Sequence, residues 1–308
     1  MSSVDERIHK LISRRSWEKL SVRWLDDIPT INPPGTPPES CVADVPGLPD
    51  LGLKIFHQAK LPKGENDVVT AFEELPLLRK LMFHEAVYLL HKARHLLGAA
   101  EFHARDGLRT CSLSTGYQSA LLSAKAISAL LGIYVVEVEN RTLVIDVFPG
   151  VAKDSAQYVR SAFYFRGHKF DHKATWELFQ RVAAVSSVED SVWPKSAISK
   201  LRVVDVKDFS KQRNQLLYNN IAWMGIDLND FDLSSGFGDI LYWGKSNKDI
   251  NFDRKDISLV LALYVLKLGL ALLQDIETVS KKLSNELNIL AQCIVKERHP
   301  VYAKWLKF

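Results

Sequence analysis

The strongest constraint on the fold is a pair of helical repeats set back to back between Pro76 and Leu131. From Pro76 to about His103 the apolar residues fall at helical spacing: Leu77, Leu78, Leu81, Met82, Ala86, Leu89, Leu90, Ala93, Leu96 and Leu97. Pro76 suits a helix start, where its missing N–H has no intrahelical partner to lose. Asp106-Gly107 then ends the helix. A second helix over about 108–131 turns Leu113, Tyr117, Ala120, Leu121, Ala124, Ile127, Leu130 and Leu131 to one side. Ser112 and Ser114 are its candidate caps or first-turn hydroxyls. Ser119, Ser123, Ala126 and Ser128 are small enough to admit a close neighbour, and Gly132 is a suitable terminator.

Helix dominates the rest of the chain as well. The longest apolar run, Ile257 to Leu273, is interrupted only by Ser258, Lys267 and Gly269. It falls short of the roughly 20 residues that span a bilayer and has a lysine inside it, so a buried core helix over about 255–278 is predicted and no membrane partner. Further helices are expected over about 172–185, 197–204, 206–224 and 280–297. The pattern changes only once. Ile133 to Glu139 and Thr142 to Phe148, rich in Val, Ile, Tyr and Phe, flank Asn140-Arg141 as a β-hairpin, and Tyr158 to Phe165 is the candidate third strand. The expected fold class is mainly α, a helical bundle with a small inserted β-hairpin or three-stranded sheet.

Two parts are expected. Residues 1–75 hold an amphipathic basic segment and a strap; residues 76–308 form a helical domain with the β insertion at about 133–165. Residues 4–25 place Ile8, Leu11, Ile12, Trp17, Leu20 and Trp24 opposite Lys10, Arg14, Arg15 and Lys19. Such a segment can cover a core, a partner or a nucleic-acid strand, and covering the core is the favoured use. Seven of the twelve prolines lie between Pro29 and Pro49, which makes that stretch an extended surface strap. Residues 53–75 give no clear pattern.

Composition narrows function mostly by exclusion. With 47% hydrophobic and 25% charged residues, the 308-residue chain has the make-up of a soluble globular protein. Forty basic against 36 acidic residues leave +4, too little to argue nucleic-acid binding from charge alone. Met1 to Arg15 has no apolar run of the kind a signal peptide needs, and Cys41, Cys111 and Cys293 are scattered. A cytoplasmic protein with reduced thiols is expected.

Phosphate-binding glycine loops and a GxSxG elbow are absent from the sequence. No cofactor is expected. His84, Tyr88, His91 and His95 line up within about 40° of His84 on one face of the first long helix. His91 and His95 have the i, i+4 spacing of a metal pair, but Lys92 and Arg94 beside them oppose a divalent ion, and no metal is expected. The stripe can instead face a subunit, another helix or solvent. Asp227, Asp230, Asp232 and Asp239 in the loop over 225–254 lack EF-hand spacing and read as a solvated loop.

One polar, amide-rich stretch, Lys211 to Asn220, sits between apolar segments. On a helix Arg213, Asn214 and Tyr218 lie at about 0°, 100° and 140°, so a cation, an amide and a phenol share one side. That layout suits a phosphate, a nucleobase or a hydrogen-bonded interface. Ser112-Leu113-Ser114-Thr115-Gly116-Tyr117-Gln118-Ser119-Ala120, continued to Leu130-Leu131-Gly132, resembles the second helix of the HEPN superfamily of small helical domains. Arg213-Asn214-x-x-x-Tyr218 resembles the Arg-Asn-x-x-x-His signature of that family, at the expected place. The resemblance covers about 76–132 and 172–278.

What the resemblance implies is a bundle that often dimerises. In active members it is a metal-independent ribonuclease of toxin–antitoxin or phage-defence systems, with Arg and His of both subunits converging on the scissile phosphate. Arg213 would then bind phosphate and Asn214 orient it, while Tyr218 stands where the family has histidine. A phenol with an unperturbed pKa near about 10 donates a hydrogen bond but is a poor base at neutral pH. His84, His91 or His95 would have to supply the missing proton transfer. The expected partners are RNA and a second copy or a partner protein of a defence complex. A catalytically inactive scaffold of the same fold, and a protein that binds a small molecule or nucleotide beneath the 225–254 loop, are the alternatives.

Overall fold

A computed structural model describes residues 16–27, 68–74, 76–138, 141–148, 160–166, 171–182, 211, 214, 218 and 257–279. In chain order the elements are α1 (Trp17–Asp27), β1 (Val68–Glu74), α2 (Pro76–Arg105), α3 (Arg109–Leu130), β2 (Ile133–Val138), β3 (Arg141–Asp146), β4 (Arg160–Arg166), α4 (His172–Val182) and α5 (Ile257–Val279). The fold is mainly α with a small antiparallel sheet. The proline-rich strap, the 225–254 loop and the helices expected over 197–204 and 280–297 lie outside the described residues.

The helix pair stands where its spacing predicts. α2 ends in a tight turn in which Gly107 has φ 77°. Of the two roles open to Ser112 and Ser114, capping falls away: the cap position is Leu108 and no side chain caps α3, while Ser112 is a first-turn hydroxyl. Ser112 instead donates from Oγ to the Ala100 carbonyl of α2 at 2.6 Å, and Ser119 does the same to Ala93. Both hydroxyls are fully buried ties between antiparallel helices. The small residues of α3 therefore bring α2 close, as their size suggests.

α5 packs parallel to α3 and antiparallel to α2. A side chain at Gly116 would put its Cβ 2.5 Å from Leu259 Cδ2, and one at Gly269 would put it 2.5 Å from Leu90 Cδ2. At both glycines a leucine side chain of the neighbouring helix occupies the space a Cβ would take. Leu259, the run Leu261 to Leu266 and Leu268 are buried, so the most apolar helix is the central one. Among the described residues, no helix is long and apolar enough to cross a membrane.

α1 closes one end of the bundle and covers the core, with Trp17, Leu20 and Trp24 buried. Trp24 Nε1 donates to the Leu130 carbonyl at 2.7 Å, satisfying an acceptor that the end of α3 leaves without an intrahelical partner. Its ring meets Phe148 edge-on at 4.9 Å, and Trp17 Nε1 reaches Asp275 Oδ2 of α5 at 2.9 Å.

The sheet has the order β1-β4-β3-β2, every pair antiparallel. The predicted hairpin is β2–β3, with Ile133 opposite Asp146 and Val138 opposite Arg141. The predicted third strand is β4, paired with β3. A fourth strand extends it: β1, from the stretch that showed no clear pattern, pairs with β4 from Val68↔Phe165 to Glu74↔Arg160 across a bulge. The sheet is thus built from both sides of the helix pair. Its partners are far apart in sequence, and a strand with no local mate leaves little periodic trace. Arg79 of α2 clamps the sheet to the bundle, its Nε donating to the Val147 carbonyl and its guanidinium lying 5.2 Å above the Phe148 ring.

Candidate functional site

The sequence-predicted site residues do not gather into one described pocket. Arg213 lies outside the described residues, as do the acidic loop positions Asp227, Asp230, Asp232 and Asp239. Lys211, Asn214 and Tyr218 have helical backbone and exposed side chains. Spacings of three and seven residues place all three on one helical face. Tyr218 is 76% exposed, the most open of the large hydrophobic residues described. An ammonium, an amide and a phenol therefore face outward together.

The histidine stripe divides. His84 lies on α2, but its side chain is outside the described residues. His95 and Tyr88 are exposed, whereas His91 is half-buried. Burial, and then the charge of Arg94, lower His91 to about 4, so it is neutral at physiological pH. A neutral imidazole with so low a pKa accepts or donates a hydrogen bond but is a weak base. Among the described residues no three His, Cys, Asp or Glu side chains come together as a metal set.

Two arrangements escaped the sequence reading. The first is a cleft of about 190 Å³ between α2, α3, β2 and α4, lined by Glu85, Leu89, Leu122, Lys125, Tyr134 and Glu137 among others. Tyr134 donates to Glu85 Oε1 at 3.0 Å across it. Burial raises the Tyr134 pKa, and the charge and hydrogen bond of Glu85 raise it further, so the phenol stays protonated and pins the carboxylate. Its lining mixes apolar side chains with two carboxylates and one ammonium. Its residues come from four elements, so no spacing in the sequence links them.

The second is a hydrogen-bonded junction between α3 and α4. Trp176 Nε1 donates to the Tyr117 hydroxyl at 3.2 Å, and that hydroxyl lies 3.3 Å from His172 Nδ1. α4 is held in place by Asp171, whose Oδ1 accepts from the Ala174 N–H at 2.7 Å as an N-cap. With Tyr117 and Trp176 buried and His172 half-buried, the trio joins the two helices. Tyr117 belongs to the stretch that resembles the HEPN second helix, and in this chain its hydroxyl is spent on α4.

Comparison with family models, with curated proteins and with solved structures found no significant match to this chain.

Proposed function

We propose that this protein binds RNA through the outward face around Lys211, Asn214 and Tyr218, as a HEPN-like helical protein of a prokaryotic defence or toxin–antitoxin system. The observation that carries the reading is the exposed phenol of Tyr218 at helical spacing from an exposed cation and an exposed amide. Unpaired RNA bases stack on exposed aromatic rings, and their phosphates are met by cations. The serine- and alanine-rich α3, tied to α2 by Ser112 and Ser119, is the further support for the HEPN-like bundle. A cytoplasmic setting, with Cys111 as an exposed free thiol, belongs to the same proposal.

Binding is favoured over cleavage. Tyr218 lacks a histidine's proton chemistry, and His91 is held neutral with a pKa well below the range of an effective base. Metal-independent endoribonuclease activity then depends on Arg213 and on a second copy completing the site. The test is a mobility shift with short single-stranded RNA over a salt series, together with a cleavage assay with and without EDTA. Binding that weakens with salt, drops about five- to 150-fold in Tyr218→Ala and is also reduced in Arg213→Ala is expected, stacking on one ring being worth about 1–3 kcal/mol. Neither binding nor cleavage at any salt would rule the reading out.

A further inference from the structure

Arg94 of α2 is only 5% exposed, and its Nε, Nη1 and Nη2 all lack a hydrogen-bond partner. The other two arginines of α2 each have at least one partner, although Arg79 Nη2 makes no hydrogen bond among the described residues. Arg79, similarly buried, donates to Val147 and lies on Phe148. Arg105 pairs with Glu101, which removes the carboxylate two turns beyond Arg94. An arginine with all three nitrogens unsatisfied and, among the described residues, no counter-charge is costly to bury. Water can satisfy a donor but cannot neutralise the charge. A buried group left in this condition needs a physical explanation, and a bound anion is one that supplies both partner and counter-charge.

The surroundings of Arg94 have a direction. Side chains on a helix lean toward its N-terminus, so the guanidinium reaches over the preceding turn, toward Leu90 and His91. Its charge is indeed felt at His91. Going around the helix from Arg94, His91 lies about 60° nearer solvent and His95 about 40° further still. Burial follows that order: Arg94 buried, His91 half-buried, His95 exposed. Anything that reaches Arg94 along this flank passes His91.

We propose that Arg94 and His91 form an oxyanion site for a phosphate group, free or as the terminal monoester of a nucleotide. The guanidinium fork takes two oxygens, and the neutral imidazole donates its N–H to a third. A carboxylate would leave that third donor idle. This site is on α2 and does not depend on the RNA reading of the 211–218 face.

Thermal melting of the full-length chain at constant ionic strength, with chloride replaced by inorganic phosphate or by AMP, tests it. Phosphate or AMP is expected to raise the wild-type Tm by several degrees through mass action. AMP acting more strongly identifies the ester, and phosphate acting alone identifies the free anion. Arg94→Met should abolish the rise and, in phosphate-free buffer, melt no lower than wild type, because it removes an uncompensated charge. Arg94→Lys should keep part of the rise. Phosphate should also move the His91 imidazole resonances of wild type and leave those of Arg94→Met unmoved. No rise in wild type with either anion overturns the proposal, as does an equal rise in Arg94→Met. So does an Arg94→Met protein that melts well below wild type or fails to fold without anion, since the guanidinium would then be serving the fold.

Discussion

His91 and Arg94 sit one turn apart on α2, and each is altered by the same cause. Burial lowers Arg94 to about 10, which leaves it charged at neutral pH, while burial and the nearby guanidinium lower His91 to about 4. An unfolded chain protonates the same histidine near 6.5. Between those two values the unfolded state binds the proton and the native state does not, so native stability falls as pH drops from about 6.5 to about 4 and levels off below. The full effect is on the order of 1–3 kcal/mol. Urea denaturation of wild type and His91→Gln at pH 7 and pH 4.5 measures it. The wild type should lose more stability than the variant on going to the lower pH; parallel losses would place His91 in a more open setting. Nothing in the sequence announces this. The four-residue spacing of His91 and His95 looks symmetric, and only the surroundings of α2 make one histidine half-buried and the other exposed.

At the scale of elements, local pattern carried a great deal. The limits of α2 and α3, the turn at Asp106-Gly107, the β2–β3 hairpin and the apolar α5 all follow from spacing, turn residues and length. The limits of that reading show at Ser112. A serine near a helix start looks like a cap, but it donates instead to the Ala100 carbonyl of a neighbouring helix. Gly116 and Gly269 likewise look like weak points in helices until α5 is placed. Gly116→Ala gains helix propensity, by up to about 1 kcal/mol. Against this, the new Cβ meets Leu259 Cδ2 at 2.5 Å, with the Leu259 Cα only 3.6 Å away to limit retreat. Overpacking of this kind costs about 1–3 kcal/mol. A lower denaturation midpoint with unchanged slope is therefore expected for Gly116→Ala, and an unchanged or higher midpoint would mean that α3 and α5 have room to part.

Across the whole molecule, distant pieces of chain close the bundle. Trp24 links α1 to the end of α3 and to Phe148 just beyond β3, and β1 joins a sheet whose other strands begin after the helix pair. Trp24→Ala should cost about 3–5 kcal/mol, the usual range for emptying a buried large aromatic site. Trp24→Phe should cost less, about 1–2 kcal/mol, since it keeps most of the ring packing and leaves the Leu130 carbonyl without its donor. Equilibrium denaturation of the two variants separates packing from the hydrogen bond. Equal losses would mean that the indole N–H, not the ring, secures α1.

What the sequence determined by itself is α2, α3, α4, α5 and the hairpin, because 3.6-residue and two-residue periodicities are written in neighbouring residues. The outward face of Asn214 and Tyr218 was legible in the same way, as a polar stretch between apolar ones. Only the tertiary structure decided that Arg94 is buried without a partner, that Tyr134 pins Glu85 across a cleft and that β1 completes the sheet. Each of these depends on groups brought together from separate elements, and burial and pairing are properties of that assembly, with no period in the chain to record them.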